Sequence, residues 1–312
     1  MNPLEAASGA AGTGRVISLV LGSGGARGYA HIGAIEELTA QGFTIASIAG
    51  SSMGALVGGI HAAGKLPVYR DFVIPLQRIG MLRLLDWTMR GGGFIKGDRI
   101  IGVLSELIGD AAIEDLPIGY TAVAVDLDTQ REVWFSRGSL FDAIRASIAI
   151  PTIFRPHRYQ GRLLVDGGLL NPLPVSATLR DLTDFTIAVD VDAPDDLPIE
   201  PPAPAPSPAS GLAARFGSLF GGLLERGAPA APRERELGMV ELFARSLETV
   251  QGTISRLKLA AQPPDLLISI PRSAAAFYAF DRAADLIEVG RQRTREALAN
   301  WRPPPRRWPP HL

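Results

Sequence analysis

The sequence predicts an α/β fold: a three-layer α/β/α sandwich around a mostly parallel central sheet. Three observations lead there. Short apolar runs of strand character alternate with stretches of helical periodicity along most of the chain. The first two such runs, Arg15 to Leu21 and Phe43 to Ala49, each pass through a glycine-rich turn into a helix. The 312 residues are 46% hydrophobic and 20% charged, which suits a soluble globular protein with ample core.

In order along the chain, residues 1–14 are small and polar and read as a flexible N-terminus. Without a basic or an apolar region they make no signal peptide, so a cytoplasmic protein is expected, peripheral at most at the inner membrane face. Arg15 to Leu21 is a buried strand. After the turn Gly22 to Gly28, Ala30, Ile32, Ala34, Ile35 and Leu38 fall at helical spacing, with Glu36 and Glu37 on the outer side. Phe43 to Ala49 is the second strand and Ala55 to Ile60 the next helix. No charged residue lies between Leu38 and His61, a length near the roughly 20 residues a bilayer requires. The glycines and serines in the stretch favour strand–turn–helix over a membrane span.

From Pro67 to Gly93 the chain is apolar but carries Arg70, Arg78, Arg83, Arg90 and Trp87. Surface helices with snorkelling arginines and an interfacial lid both fit. Asp98 is placed to cap a helix running to Ile108. Tyr120 to Asp126 and Arg131 to Phe135 are strands around the turn at 128–130. Leu140 to Ile150 is helical until Pro151. Arg158 to Gln160 and Arg162 to Val165 form a hairpin across Gly161. Phe185 to Val191 and Leu266 to Ile270 complete the strands.

The core spans 15–192. Residues 193–236 form a Pro/Ala-rich linker holding a short amphipathic helix, Leu212 to Leu224, whose Leu212, Phe216, Leu219, Phe220, Leu223 and Leu224 share a face. That face either packs on its own domain or enters a lipid interface. Residues 237–302 supply the C-terminal helices and last strand of the same domain. Val240 to Leu259 bears an apolar stripe of Leu242, Leu247, Val250, Ile254 and Leu257. Phe280 to Trp301 is the final helix, and 303–312 a disordered tail.

A formal net charge of −1 offers no field for a nucleic-acid partner. The absence of cysteine excludes disulfides and thiolate chemistry, and the four histidines lack metal-ligand spacing, so no metal or other cofactor is expected.

The chemistry centres on Gly50-Ser51-Ser52-Met53-Gly54. In a chain with 34 glycines, Gly-x-Ser-x-Gly alone says little, but here it follows a strand and precedes a helix, the setting of a nucleophile elbow. Gly50 and Gly54 flank Ser52 and not Ser51, so Ser52 is the candidate nucleophile. The turn at 22–28 presents backbone N–H groups at a helix start, an anion site. A dinucleotide would want glycine where Arg27 stands, and a phosphate loop would want Gly-Lys-Ser/Thr. An oxyanion hole beside the Ser52 elbow fits best. No histidine follows an acid in the order of a Ser-His-Asp triad: His31 and His61 sit after the two turns, His157 precedes Asp166, and His311 is in the tail. A carboxylate acting directly remains, and Asp166, ahead of Gly167 and Gly168, is best placed. The alternative for Asp-Gly is an ordinary turn.

Together, the glycine-rich turn with Arg27, Gly-x-Ser-x-Gly at 50–54, Ala146-Ser147 through Pro156, and Asp166-Gly-Gly resemble the bacterial patatin-like phospholipases over about 16–180. The resemblance implies a patatin-like sandwich and a Ser-Asp dyad, with Ser52 as nucleophile and Asp166 as proton acceptor. It further implies an oxyanion hole of Gly24 and Gly25 amides and a loop held by Arg27. Many relatives have Asp-Gly-Gly-Gly where this chain has Gly22-Ser23-Gly24-Gly25, a change that bears on loop support. Implied substrates are fatty-acyl esters of phospholipids or lysophospholipids. A free Asp has a pKa near 3.9, so catalysis would lean on placement more than on base strength. An inactive acyl-lipid sensor on the same scaffold is the second reading.

Overall fold

The computed structural model describes residues 15–76, 93–95, 102–106, 109, 111–195 and 239–305. Its strands are β1 (Arg15–Leu21), β2 (Phe43–Ser51), β3 (Gly93–Ile95), β4 (Gly119–Asp126), β5 (Arg131–Phe135), β6 (Thr152–Phe154), β7 (His157–Tyr159), β8 (Arg162–Asp166), β9 (Phe185–Ala193) and β10 (Leu266–Pro271). The main helices are α1 (Ala30–Ala40), α2 (Met53–Ala62), α3 (Leu66–Val73), α4 (Leu140–Ser147), α5 (Met239–Ala261) and α6 (Ala283–Asn300).

An eight-stranded sheet runs β10-β9-β1-β2-β4-β8-β7, with β5 also paired to β4, while β3 and β6 form a separate parallel pair. From β10 to β4 every pairing is parallel; β5 and β8 are antiparallel to β4, and β7 to β8. β1 is central because both of its faces are covered, which is why it reads as one apolar run. Ile17, Leu19 and Leu21 point into the main core with α1, α2, α4 and α6. Val20 points the other way, into a smaller cluster of Leu173, Val175 and Ala188 with Leu259 of α5 against it. The chain leaves β1 for β2 on one side, and β9 lies on the other. The carboxyl end of β1 is therefore a switch point, where open α/β sheets form their crevice.

The uncharged run from Leu38 to His61 is divided among the end of α1, β2 and α2, and no helix among the described residues is long and apolar enough to cross a membrane. The hairpin of β7 and β8 turns through Gln160 and Gly161, with φ of 49° and 77°, the pair of left-handed residues a two-residue turn requires.

Two readings need correction. The helix from Leu140 ends at Ser147, not Ile150, because the ladder tightens into the bonds Ala149 N to Ala146 O and Ile150 N to Ile148 O before Pro151. Strand β9 continues past the expected end at Val191 to Ala193, and Asp192 within it is held by Arg27 and Arg272. The stripe on α5 is divided: Leu242, Val250 and Leu257 are 55%, 53% and 67% exposed, Leu247 and Ile254 are half-buried, and Ala244, Gln251 and Ser255 are buried. Residues 1–14, Arg78 to Arg90 with Trp87, the Asp98 cap, the linker from 196 on with Leu212 to Leu224, and 306–312 lie outside the described residues.

Candidate active site

β2 ends at Ser51 and α2 begins at Met53, leaving Ser52 alone between them at φ 54° and ψ −124°. A non-glycine residue there carries strain of about 1–3 kcal/mol, which the surroundings must hold. They do so through its amide, which donates to Ser147 Oγ at 2.9 Å, while Ser147 Oγ donates to Val123 O on β4 at 2.6 Å. Gly54 is glycine for a steric reason: a Cβ would stand 2.1 Å from Leu21 O, so helix α2 could not lie against the end of β1. At Gly50 a Cβ would meet the backbone of Gly54 at 2.5 Å.

Asp166 ends β8 and faces this elbow. Its Oδ2 accepts a hydrogen bond from Ser52 Oγ at 2.5 Å, and its Oδ1 accepts one from Gly168 N at 2.7 Å. Its own amide donates to Ala149 O at 3.0 Å. Residues 147–149 thus hold both members of the pair, Ser52 through a side chain and Asp166 through a carbonyl. The carboxyl is 2% exposed, and burial pushes its pKa up to about 7, with the bonds from Ser52 and Gly168 N opposing the shift. The carboxyl thus titrates close to neutral pH, well above the free value near 3.9. Gly167 and Gly168 follow in a 3-10 turn over β4.

In the turn after β1, neighbouring amides are committed: Gly22 N to Val189 O, Ser23 N to Pro172 O and Ala26 N to Phe277 O. The amides of Gly24 and Gly25 have no partner among the described residues. Gly25 has φ 58°, and a Cβ there would lie 2.4 Å from Phe277 O. Arg27, 1% exposed, fixes the turn with four hydrogen bonds, to Val191 O, Ala275 O, Asp192 Oδ1 and Glu248 Oε1. Ser23 Oγ is buried without a partner among the described residues, 3.0 Å from where a Cβ on Gly168 would be.

Two of the described histidines, His31 and His157, have other partners. His31, fully buried, has Nε2 2.8 Å from Gly22 O, and burial lowers its pKa to about 4. The imidazole is neutral and donates to that carbonyl, which steadies the turn. Nε2 of His157 meets Asp142 at 3.0 Å. Among the described residues no histidine hydrogen-bonds Ser52 or Asp166. The roles of Ser147, His31, Asp192 and Glu248 went unread in the sequence. Only Ser147 left a trace, in the segment that carried the resemblance.

Residues 19–179 match the family model described as patatin-like phospholipase, and the match spans the turn, the elbow and the acid turn. The chain belongs to the patatin-like phospholipase family. It is a family of lipid hydrolases, and the mixed, mostly parallel sheet flanked by helices agrees with it. A protein of Mycobacterium tuberculosis named as an uncharacterized NTE family protein is 39% identical, over 90% of this chain and 91% of its own. A protein of Emericella nidulans named lysophospholipase is 31% identical over 59% of this chain, a stretch equal to 12% of that protein. VipD from Legionella pneumophila superposes with a TM-score of 0.43 at 14% identity, covering 92% of this chain and 67% of its own.

Proposed function

We propose that this patatin-like chain is a serine acyl hydrolase that cleaves fatty-acyl esters of phospholipids or lysophospholipids through a Ser52–Asp166 dyad. The observation that carries this reading is the 2.5 Å hydrogen bond from Ser52 Oγ to Asp166 Oδ2, made by a serine in a strained elbow. In the proposed reaction Ser52 Oγ attacks the acyl carbonyl while its proton passes to Asp166 Oδ2. The carbonyl oxygen becomes an oxyanion facing the Gly24 and Gly25 amides, which have no competing partner among the described residues. Collapse breaks the ester bond, and the leaving alkoxide takes the proton from Asp166. Water then attacks acyl-Ser52, gives a proton to Asp166, and releases the fatty acid as Ser52 Oγ regains its hydrogen.

A carboxylate titrating near 7 is a better match to an alcohol's proton than a free one, and it is half-ionised at neutral pH. The lysophospholipase name of the Emericella protein supports a lysolipid substrate for the matching domain. The test is a burst assay with a chromogenic short-chain ester, followed by fatty-acid release from phosphatidylcholine and lysophosphatidylcholine. A burst with lipid turnover is expected. No turnover of any ester would reject the reading in favour of a lipid-binding role.

A further inference from the structure

Helix α5 packs with its small and polar side inward. Ala244, Gln251 and Ser255 are buried, and Glu248 reaches in to Arg27 of the glycine-rich turn at 2.7 Å. The Gln251 amide nitrogen lies 2.6 Å from where a Cβ on Gly168 would be, so the helix covers the acid turn itself. Lower down, Lys258 Nζ meets Glu132 Oε1 at 2.7 Å. At 100° per residue, Leu242, Val250 and Leu257 fall within one narrow arc on the opposite side. The exposed side chains of α5 from residue 242 on are Leu242, Arg245, Ser246, Thr249, Val250, Thr253, Arg256, Leu257, Ala260 and Ala261. They include Arg256, which donates to Thr253 Oγ1 at 3.1 Å, while Glu248 turns inward to Arg27.

We infer that the outward face of α5 docks on an anionic lipid surface and seats the dyad against the membrane that holds its substrate. The face has the composition of an interfacial helix: large aliphatic side chains, hydroxyls and small residues between them, and Arg256 at the flank as a cation that complements anionic headgroups. Its position adds to this, since the same helix touches the acid turn on its inner side and the arginine of the oxyanion loop. Beside it opens a cleft of about 500 Å³ whose wall includes Arg245, Arg272, Phe277 and Tyr278. Placing α5 on the membrane puts that cleft at the interface. The inference rests on the acyl-lipid reading above, but it is a statement about binding and can fail separately.

The experiment uses the full chain and sedimentation with phosphatidylcholine vesicles, with and without phosphatidylglycerol. Wild type is expected to sediment with the anionic vesicles. The triple variant Leu242→Gln, Val250→Gln, Leu257→Gln should bind at least about tenfold more weakly. Its melting temperature, its mass in solution and its rate on the soluble ester should be unchanged. Arg256→Gln should reduce the preference for phosphatidylglycerol by about fivefold. Wild type that ignores vesicles overturns the inference, as does a triple variant that binds like wild type. A triple variant with a lowered melting point shows the face to be covered by the chain's own segments, and a change from dimer to monomer shows a second copy there; either overturns it. Wild type that binds vesicles yet cleaves no ester supports the docking face and rejects the hydrolase reading instead.

Discussion

The turn after β1 and the turn after β2 lie side by side, with Leu21 opposite Gly50 in register, and each sets one residue at left-handed φ: Gly25 at 58° and Ser52 at 54°. Both follow a buried parallel strand and both lead into a helix packed in the main core. They differ in what occupies the left-handed position and in what is left unbonded. Around Gly25 there is no room for a side chain, and what the turn offers is backbone, the amides of Gly24 and Gly25. At Ser52 the amide is taken by Ser147 and the side chain is what the turn offers, bonded to Asp166. On the proposed mechanism, one backbone device gives a donor pair in one place and a nucleophile in the other. Each is fixed from outside by a different partner: Arg27 and His31 for the first turn, Ser147 for the second.

The largest way to break the comparison is to remove what the second turn offers. Ser52→Ala should lower ester hydrolysis by at least about 10³-fold with an unchanged circular dichroism spectrum, since members of a nucleophile–base unit are not replaceable singly. A variant that keeps the rate would move the nucleophile elsewhere.

Asp166→Asn should be almost as damaging, because an amide cannot take the proton, and the double variant should be hardly worse than either single one. It also carries a signed effect on stability. The folded pKa of about 7 lies above the unfolded value near 3.9, so the folded state holds the proton more tightly, and stability is lost as pH rises between those values. Asparagine escapes that cost. The variant should melt higher than wild type at pH 8, and the gap should close as pH falls toward 4, as differential scanning calorimetry can read. A lower melting point at pH 8 would contradict the raised pKa of the buried carboxyl. In wild type, kcat/KM should fall below about pH 7.

Removing what the first turn offers should cost less. Gly25→Val, which must clear Phe277 O and abandon φ 58°, should lower the rate by about 10²–10³-fold through displaced amides. Full activity in a folded variant would place the oxyanion donors elsewhere.

The smallest effect is expected one residue from the largest. Ser51 Oγ is buried without a partner among the described residues, so Ser51→Ala should leave the rate within about twofold and should not lower the melting temperature. Loss of activity there would mean the register of the elbow is wrong.

Both turns were legible because their signals are local. A strand, glycines at fixed offsets and a helix are contiguous, and the steric reasons for Gly50 and Gly54 act between near neighbours in the fold. Asp166 was legible as the acid of a strand end, but its basicity was not, since burial by β4, the elbow and α5 is a property of the packed molecule. Ser147 was hidden for the same reason: it acts on Ser52 across 95 residues, and the apolar pattern from Leu140 to Ile150 runs past the point where the helix ends. The orientation of α5 was the hardest to read. Periodicity marks an apolar stripe, but which side faces inward is decided by Glu248 finding Arg27 and Gln251 lying over Gly168.

The most direct measurement of the central claim is covalent trapping with an alkyl fluorophosphonate, which reports the activated serine without requiring the natural lipid. The serine oxygen displaces fluoride from phosphorus, and the adduct is located by fragmenting the peptide that contains both Ser51 and Ser52. A dyad predicts a single adduct on Ser52, formed more slowly below about pH 7 and absent or severely slowed in Asp166→Asn. An adduct on Ser51 or on another serine, or labelling of Asp166→Asn at the wild-type rate, would contradict it.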